Sequence, residues 1–264
     1  MKKRGQVTVF IILGILIVAI IAIAYSFIKK IGPGDIVSAN IDEVKSYAID
    51  CLKQVSEEAV LSVGKQGGYY NLPNESIYSP PYLVAYYIYG TQVLVPSKKI
   101  VENEIESYIN ENLQDCFNDF NILKNSDIII GTNKINTLVQ IKEKEVDINS
   151  KINLVVTKEN SSAEISDIST IIQPVRFPHF LSFANEIAEE QTLDTRSVCV
   201  NCLSKKAQEY NLSIQMIKTK TQTDYVYIIT DPISNFSSNF TFNFGAHYEF
   251  PICNDIENCA NMLS

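Results

Sequence analysis

The chain has no tryptophan and only two histidines in 264 residues. Any Ser–His–Asp or Cys–His machinery would have to use His179 or His247, and no serine lies in a nucleophile elbow. His179 follows Phe177-Pro178 at a helix start and His247 lies within a strand, so both read as structural histidines. No P-loop, dinucleotide fingerprint, His-Glu-x-x-His motif or calcium loop is written in the sequence. Asp115, Asp119 and the group Glu186, Glu189 and Glu190 read as solvated helix faces. The expectation is a protein that is not an enzyme and has no cofactor and no metal. Positive charge is scarce as well, with 22 Lys and Arg against 30 Asp and Glu. Five of the 22 fall within the first thirty positions, leaving 17 against 30 beyond them. A surface of that sign does not displace counterions, so a nucleic-acid partner is not expected.

What is present begins at the N-terminus. Val9 to Ile28 carry no charge and consist almost entirely of Ile, Leu, Val, Phe and Ala. A helix of that length spans about 30 Å, the thickness of a bilayer's hydrocarbon core. The reading is a basic cytoplasmic leader over 1–8, a transmembrane helix over 9–28 and a linker over 29–40, broken by Gly32-Pro33-Gly34. Lys2, Lys3, Arg4 and the terminal amine outweigh Lys29 and Lys30. That balance places the N-terminus in the cytoplasm and the large domain outside.

Lys3-Arg4-Gly5-Gln6 followed at once by the apolar stretch resembles the class III signal peptide of archaeal type IV pilin-like proteins. The resemblance covers about residues 1–28. It implies a prepilin-type peptidase as partner, a cut between Gly5 and Gln6, and an apolar helix retained on the mature chain. At the fifth mature position, where the family usually carries Glu, this sequence has Phe10.

Six cysteines follow: Cys51, Cys116, Cys199, Cys202, Cys253 and Cys259. An even number in an exported domain points to disulfides. Cys51 and Cys116 each sit on an expected helix among apolar neighbours and make the preferred pair. Cys199-Val-Asn-Cys202 and Cys253-x5-Cys259 carry three readings: structural disulfides, which the oxidising context favours; a tetrahedral zinc site; or a redox-active Cys199/Cys202 pair. Asn74, Asn160, Asn211, Asn235 and Asn239 head Asn-x-Ser/Thr sequons, the glycosylation candidates of an exported chain.

The expected fold class is α+β: the transmembrane helix, then an extracytoplasmic domain over 41–250 of amphipathic helices and antiparallel sheet. A break near 174 would divide it into two subdomains, and a cysteine-containing tail covers 251–264. Asn40 and Glu43 read as a capping box opening a helix whose stripe runs from Ile41 to Val63 and ends at Gly67-Gly68. A second helix is expected over Ser97–Asn118, and helical signals return at Phe180–Glu190 and Thr195–Tyr210. Strands are expected over Tyr82–Tyr89, Asp127–Thr132, Asn136–Val146, Lys151–Lys158, Ala163–Ile172, Asn211–Thr219, Thr223–Asp231 and Phe240–Phe250.

Residues 69–89 hold seven of the fourteen tyrosines. Three functional readings result. The leading one is a single-pass, membrane-anchored surface protein with a structural or interaction role, pilin-like, self-associating or meeting a surface partner. The second is an extracellular ligand- or glycan-binding module using Tyr69, Tyr70, Tyr82, Tyr86 and Tyr87. The third is a membrane-anchored thiol oxidoreductase centred on Cys199 and Cys202.

Overall fold

A 33-residue helix, α1 (Pro33–Lys65), opens the computed structural model, which describes residues 33–118, 128–131, 135–158, 161–193, 198–221, 223–234, 236 and 240–249. Val44, Ala48, Cys51, Leu52, Val55, Ala59, Val60 and Val63 recur at three- and four-residue spacing and are all buried, so one face of the helix enters the core. Gly67 and Gly68 then take φ of 75° and 81°, and the Gly68 N–H donates to the Val63 carbonyl at 2.8 Å. This left-handed stop is open to glycine at no steric cost.

Helix α2 (Lys98–Asn118) starts behind Ser97, whose Oγ accepts the Ile100 N–H at 3.3 Å. It packs along α1. A disulfide between Cys51 and Cys116 joins the two helices, with S–S 2.02 Å and Cα–Cα 5.9 Å. The Tyr47 hydroxyl donates to the Cys116 carbonyl at 3.2 Å beside it.

Two sheets complete the fold. The smaller contains β4 (Ile128–Gly131), β5 (Asn136–Ile141), β6 (Val146–Lys158) and β7 (Ser161–Ile172), all paired antiparallel through the central β6. Strand β5 alternates exposed and buried residues along its length. Its free edge faces α2. The N–H groups of Thr137, Val139 and Ile141 donate to Asn110 Oδ1, Glu106 Oε1 and Glu102 Oε1 at 2.9, 3.0 and 3.0 Å. Four residues of helix rise about 6 Å and two residues of strand about 7 Å, so the two rows stay in step. The helix thereby closes an edge that would otherwise offer unpaired backbone groups.

The larger sheet has the order β1 (Ser76–Ser79), β2 (Tyr82–Tyr89), β10 (Phe242–His247), β9 (Asp224–Thr230) and β8 (Ser213–Lys218), with β3 (Gln92–Val93) paired to β2. Helix α3 (Phe177–Thr192) packs against β2 and β3, and α4 (Val200–Glu209) against α3 and β8. The rings of Tyr87, Phe244 and Tyr227 stack in sequence across β2, β10 and β9, each step 4.9 Å between centroids. The Tyr87 hydroxyl donates to the Gly67 carbonyl at 3.0 Å, and the hydroxyls of Tyr227 and Tyr248 meet at 2.6 Å, which satisfies buried polar atoms. One buried apolar cluster takes in residues of both sheets and lies on both sides of residue 174.

The expected fold class needs correction. The described chain is α+β with four helices, but no helix among the described residues is long and apolar enough to cross a membrane. The longest, α1, is charged along its outer face by residues such as Glu43, Lys53 and Glu58 and is therefore amphipathic. The apolar run 9–28 lies outside the described residues, as does the tail 251–264. The larger sheet is also mixed rather than purely antiparallel, because β10 runs parallel to β2.

Boundaries moved too. Helix α1 begins at Pro33, inside the stretch expected as a linker, and runs through Asn40 and Glu43. Proline suits a first helical position, where its missing N–H is not needed. The strand expected over Asn136–Val146 turns at 142–145, and Val146–Lys158 is one long strand. That turn has no Gly, Pro or Asn. Lys142 holds it instead, with Nζ 3.0 Å from Glu145 Oε1 and an ion pair to Asp147.

Candidate functional site

Strand β2 carries one residue more than its partner. Tyr86 pairs with Gly245 and Ile88 with Ala246, so Tyr87 has no counterpart on β10. In a regular strand, Tyr86 and Tyr89 would point to opposite faces. The bulge puts both on the outer face and leaves Tyr87 and Ile88, two consecutive residues, fully buried beneath them. The Tyr86 and Tyr89 rings meet edge to face with centroids 5.4 Å apart.

His247, paired with Tyr89 in the sheet register, joins this aromatic group. Its ring stacks on Tyr89 at 4.7 Å and 20° and meets Tyr86 edge on at 6.1 Å. Nδ1 lies 2.6 Å from Asp224 Oδ1, across the β10–β9 pair. Burial, the Asp224 charge and a hydrogen bond to Asp224 all push the Tyr86 hydroxyl above its ordinary pKa. It therefore remains a protonated donor at neutral pH. Gly245 makes room for this arrangement. A Cβ there would stand 2.9 Å from Ile77 Cδ1 and 3.1 Å from Tyr86 Cδ1.

These residues floor an open groove of about 550 Å³, whose rim holds the amides of Asn74 and Gln92 and the carboxylate of Glu75. Tyr89 is 39% exposed. Among the described residues no Lys or Arg lines the groove. Such a lining offers aromatic faces for stacking, amides that donate and accept, and carboxylates that accept.

A second feature lies at the start of α4. Cys199 and Cys202 are joined in a disulfide. Cys199 is the helix N-cap, and its Sγ accepts the Cys202 N–H at 3.2 Å. Since both sulfurs are bonded to each other, neither is a zinc ligand here. Among the described residues no group of His, Cys, Asp and Glu side chains is arranged to hold a metal ion.

No protein-family model, curated protein or solved structure matches this chain.

The sequence-derived candidates are therefore placed by geometry alone. Asn74 is exposed on the rim of the tyrosine groove, and Asn211 is exposed in a turn with φ 52°. Asn160, Asn235, Asn239, Cys253, Cys259, Gly5, Gln6 and Phe10 lie outside the described residues. Tyr87 is core, Tyr86 lines the groove, and Tyr69, Tyr70 and Tyr82 are half-buried elsewhere. Tyr70 is tied to α2, its N–H donating to Glu104 Oε2 at 2.9 Å and its hydroxyl to Glu111 Oε2 at 2.9 Å. His179 fits the structural reading, with Nε2 2.6 Å from the Tyr210 carbonyl. His247, Asp224 and Tyr89 are the functional candidates that sequence reasoning missed. The available signal was the spacing Tyr86-Tyr87-Ile88-Tyr89, since two outward tyrosines three residues apart require a bulge.

Proposed function

We propose that the chain is a membrane-anchored surface protein whose folded domain binds a neutral saccharide in the Tyr86–Tyr89–His247 groove and does not transform it. The bulge in β2 carries this reading, because it sets two tyrosines and a histidine side by side on one exposed face. Asp224 holds the histidine ring, and the amides of Asn74 and Gln92 line the same groove as donors and acceptors. The Cys51–Cys116 disulfide accords with an oxidising compartment. Attachment to the bilayer, and processing between Gly5 and Gln6 by a prepilin-type peptidase, rest on the sequence of residues 1–30.

The test is an array of neutral oligosaccharides probed with the full-length chain and with Tyr89→Ala. Selective binding is expected, about fivefold weaker in the variant, since a stacked aromatic contributes about 1 kcal/mol. Absence of binding to any oligosaccharide, or equal binding by the variant, would refute the reading. For attachment and processing, the protein should sediment with membranes and its mature N-terminus should begin at Gln6 by mass spectrometry. An intact Met1-Lys2-Lys3-Arg4 would refute the processing.

A further inference from the structure

We infer that Cys199–Cys202 forms a second working site, independent of the groove: a thiol-exchange disulfide that accepts two electrons from a dithiol on a partner polypeptide.

The two disulfides differ in what they do for the fold. Cys51–Cys116 spans 65 residues and Cys51 is buried, whereas Cys199–Cys202 spans 3 residues and both cysteines are half-exposed. Loop-closure stabilisation grows with the logarithm of loop length, so the short bridge contributes far less to stability. It also stands where an attacking thiolate can reach it. Cys202 lines an open groove of about 600 Å³ between α3 and α4. Leu193, 86% exposed, forms one wall, and Val200, 57% exposed, sits between the two cysteines in the chain. These apolar side chains suit a polypeptide partner. Glu186, Glu189 and Glu190 line the groove from α3, and Lys205, Lys206 and Glu209 from α4; Lys206 pairs with Glu186 at 2.6 Å and Lys205 with Glu209 at 4.0 Å, so the surplus negative charge of Glu189 and Glu190 favours a basic segment around the partner's cysteines.

The environment of Cys199 suits a leaving thiolate. Its Sγ already accepts the Cys202 N–H at the N-terminus of the ten-residue α4, where backbone dipoles favour negative charge. A second observation points the same way. Gln191 is 1% exposed; its Oε1 accepts the Cys199 N–H at 3.2 Å, and its Nε2 has no partner. Among the described residues that buried donor has no acceptor, and it belongs to the side chain whose oxygen holds the Cys199 N–H.

In the first step the partner thiolate attacks Cys202 Sγ. The Cys199–Cys202 bond breaks, its electron pair leaves on Cys199, and a mixed disulfide forms between the partner and Cys202. The partner's second thiolate then attacks its own sulfur in that mixed disulfide and expels Cys202 as a thiolate. The partner dithiol is oxidised to a disulfide and Cys199/Cys202 are reduced. The protons released by the two partner thiols are taken up by the two new ones.

The experiment titrates the folded full-length chain with dithiothreitol, alkylates free thiols and maps the modified peptides. Cys199 and Cys202 should become alkylated at a reductant concentration at least tenfold below that for Cys51 and Cys116, with far-UV circular dichroism unchanged. Reduction of both pairs together, or of Cys199–Cys202 only as the fold is lost, would overturn the proposal. A parallel incubation with glutathione, quenched in acid, should place the adduct on Cys202. An adduct on Cys199 would overturn the assignment of the attacked sulfur.

Discussion

Glu106 Oε1 accepts the backbone N–H of Val139 at 3.0 Å, so a helix carboxylate occupies the place of a neighbouring strand's carbonyl. Glu102 and Asn110 repeat the contact one turn to either side. Glu106→Ala would leave a part-buried N–H unpaired and should lower stability by about 1–3 kcal/mol. Glu106→Gln keeps an acceptor oxygen and should cost less than half as much. Urea denaturation of the two variants compares them, and equal losses would mean that the hydrogen bond is not what α2 contributes there.

Removing the Cys51–Cys116 bridge with a Cys51→Ala/Cys116→Ala double variant should lower stability by about 4 kcal/mol, from the length of the loop it closes. Cys199→Ser/Cys202→Ser should lose about 2 kcal/mol or less by the same relation. The ranking of thermal midpoints checks this, and the reverse order would contradict the structural role assigned to the first pair.

Arg176 Nε donates to Asp231 Oδ2 at 2.6 Å, linking the start of α3 to the end of β9. Burial pushes the Asp231 carboxyl up, but the Arg176 hydrogen bond and the N–H groups of Ile233 and Ser234 outweigh it and hold it below its ordinary value. A lowered carboxyl pKa stabilises the fold above the unfolded value of about 3.9, and the contribution is lost as pH falls through the folded value. Arg176→Met should therefore be less stable than the parent at pH 6, with the gap narrowing below about pH 4. Denaturation curves at pH 6 and pH 3 give the comparison, and a pH-independent gap would show that Arg176 acts through packing alone.

Gly245→Ala places a methyl group against Ile77 and the Tyr86 ring while leaving the inner face of β10 untouched. Oligosaccharide affinity should fall about fivefold, comparable to loss of one aromatic contact of about 1 kcal/mol, with the thermal midpoint changed by only a few degrees. Isothermal titration alongside thermal melts separates the two effects. Unchanged affinity would mean that the position of Tyr86 is not critical to the groove.

Much of the fold was legible because it follows apolar period. The α1 stripe and the glycine stop after it, the α2 span and the Tyr82–Tyr89 strand all appear close to where their spacing placed them. The Cys51–Cys116 partnership was legible because each cysteine lies on the inward stripe of its helix. Less legible were features made between distant segments. The parallel β2–β10 pairing joins strands about 160 residues apart, and nothing local announces it. The contacts of Glu102 and Glu106 with the β5 edge were not legible either, because helix and strand come together only in the fold. His247 looked structural because its partners, Asp224 and Tyr89, come from two other strands. The turn at 142–145 escaped because charge pairing, not turn residues, shapes it.

The bulge at Tyr87 also has a consequence for how sequence variation would read in this chain. Inserting one residue into β10 between Gly245 and Ala246 would give Tyr87 a counterpart, keep every tyrosine of β2 and return Tyr86 and Tyr89 to opposite faces. A chain so lengthened would match this one closely in composition, retain a foldable strand and lose the paired rings. The side-by-side placement of Tyr86 and Tyr89 is thus specified by the count of residues on β2 against that on β10, which a comparison of residue types alone would miss.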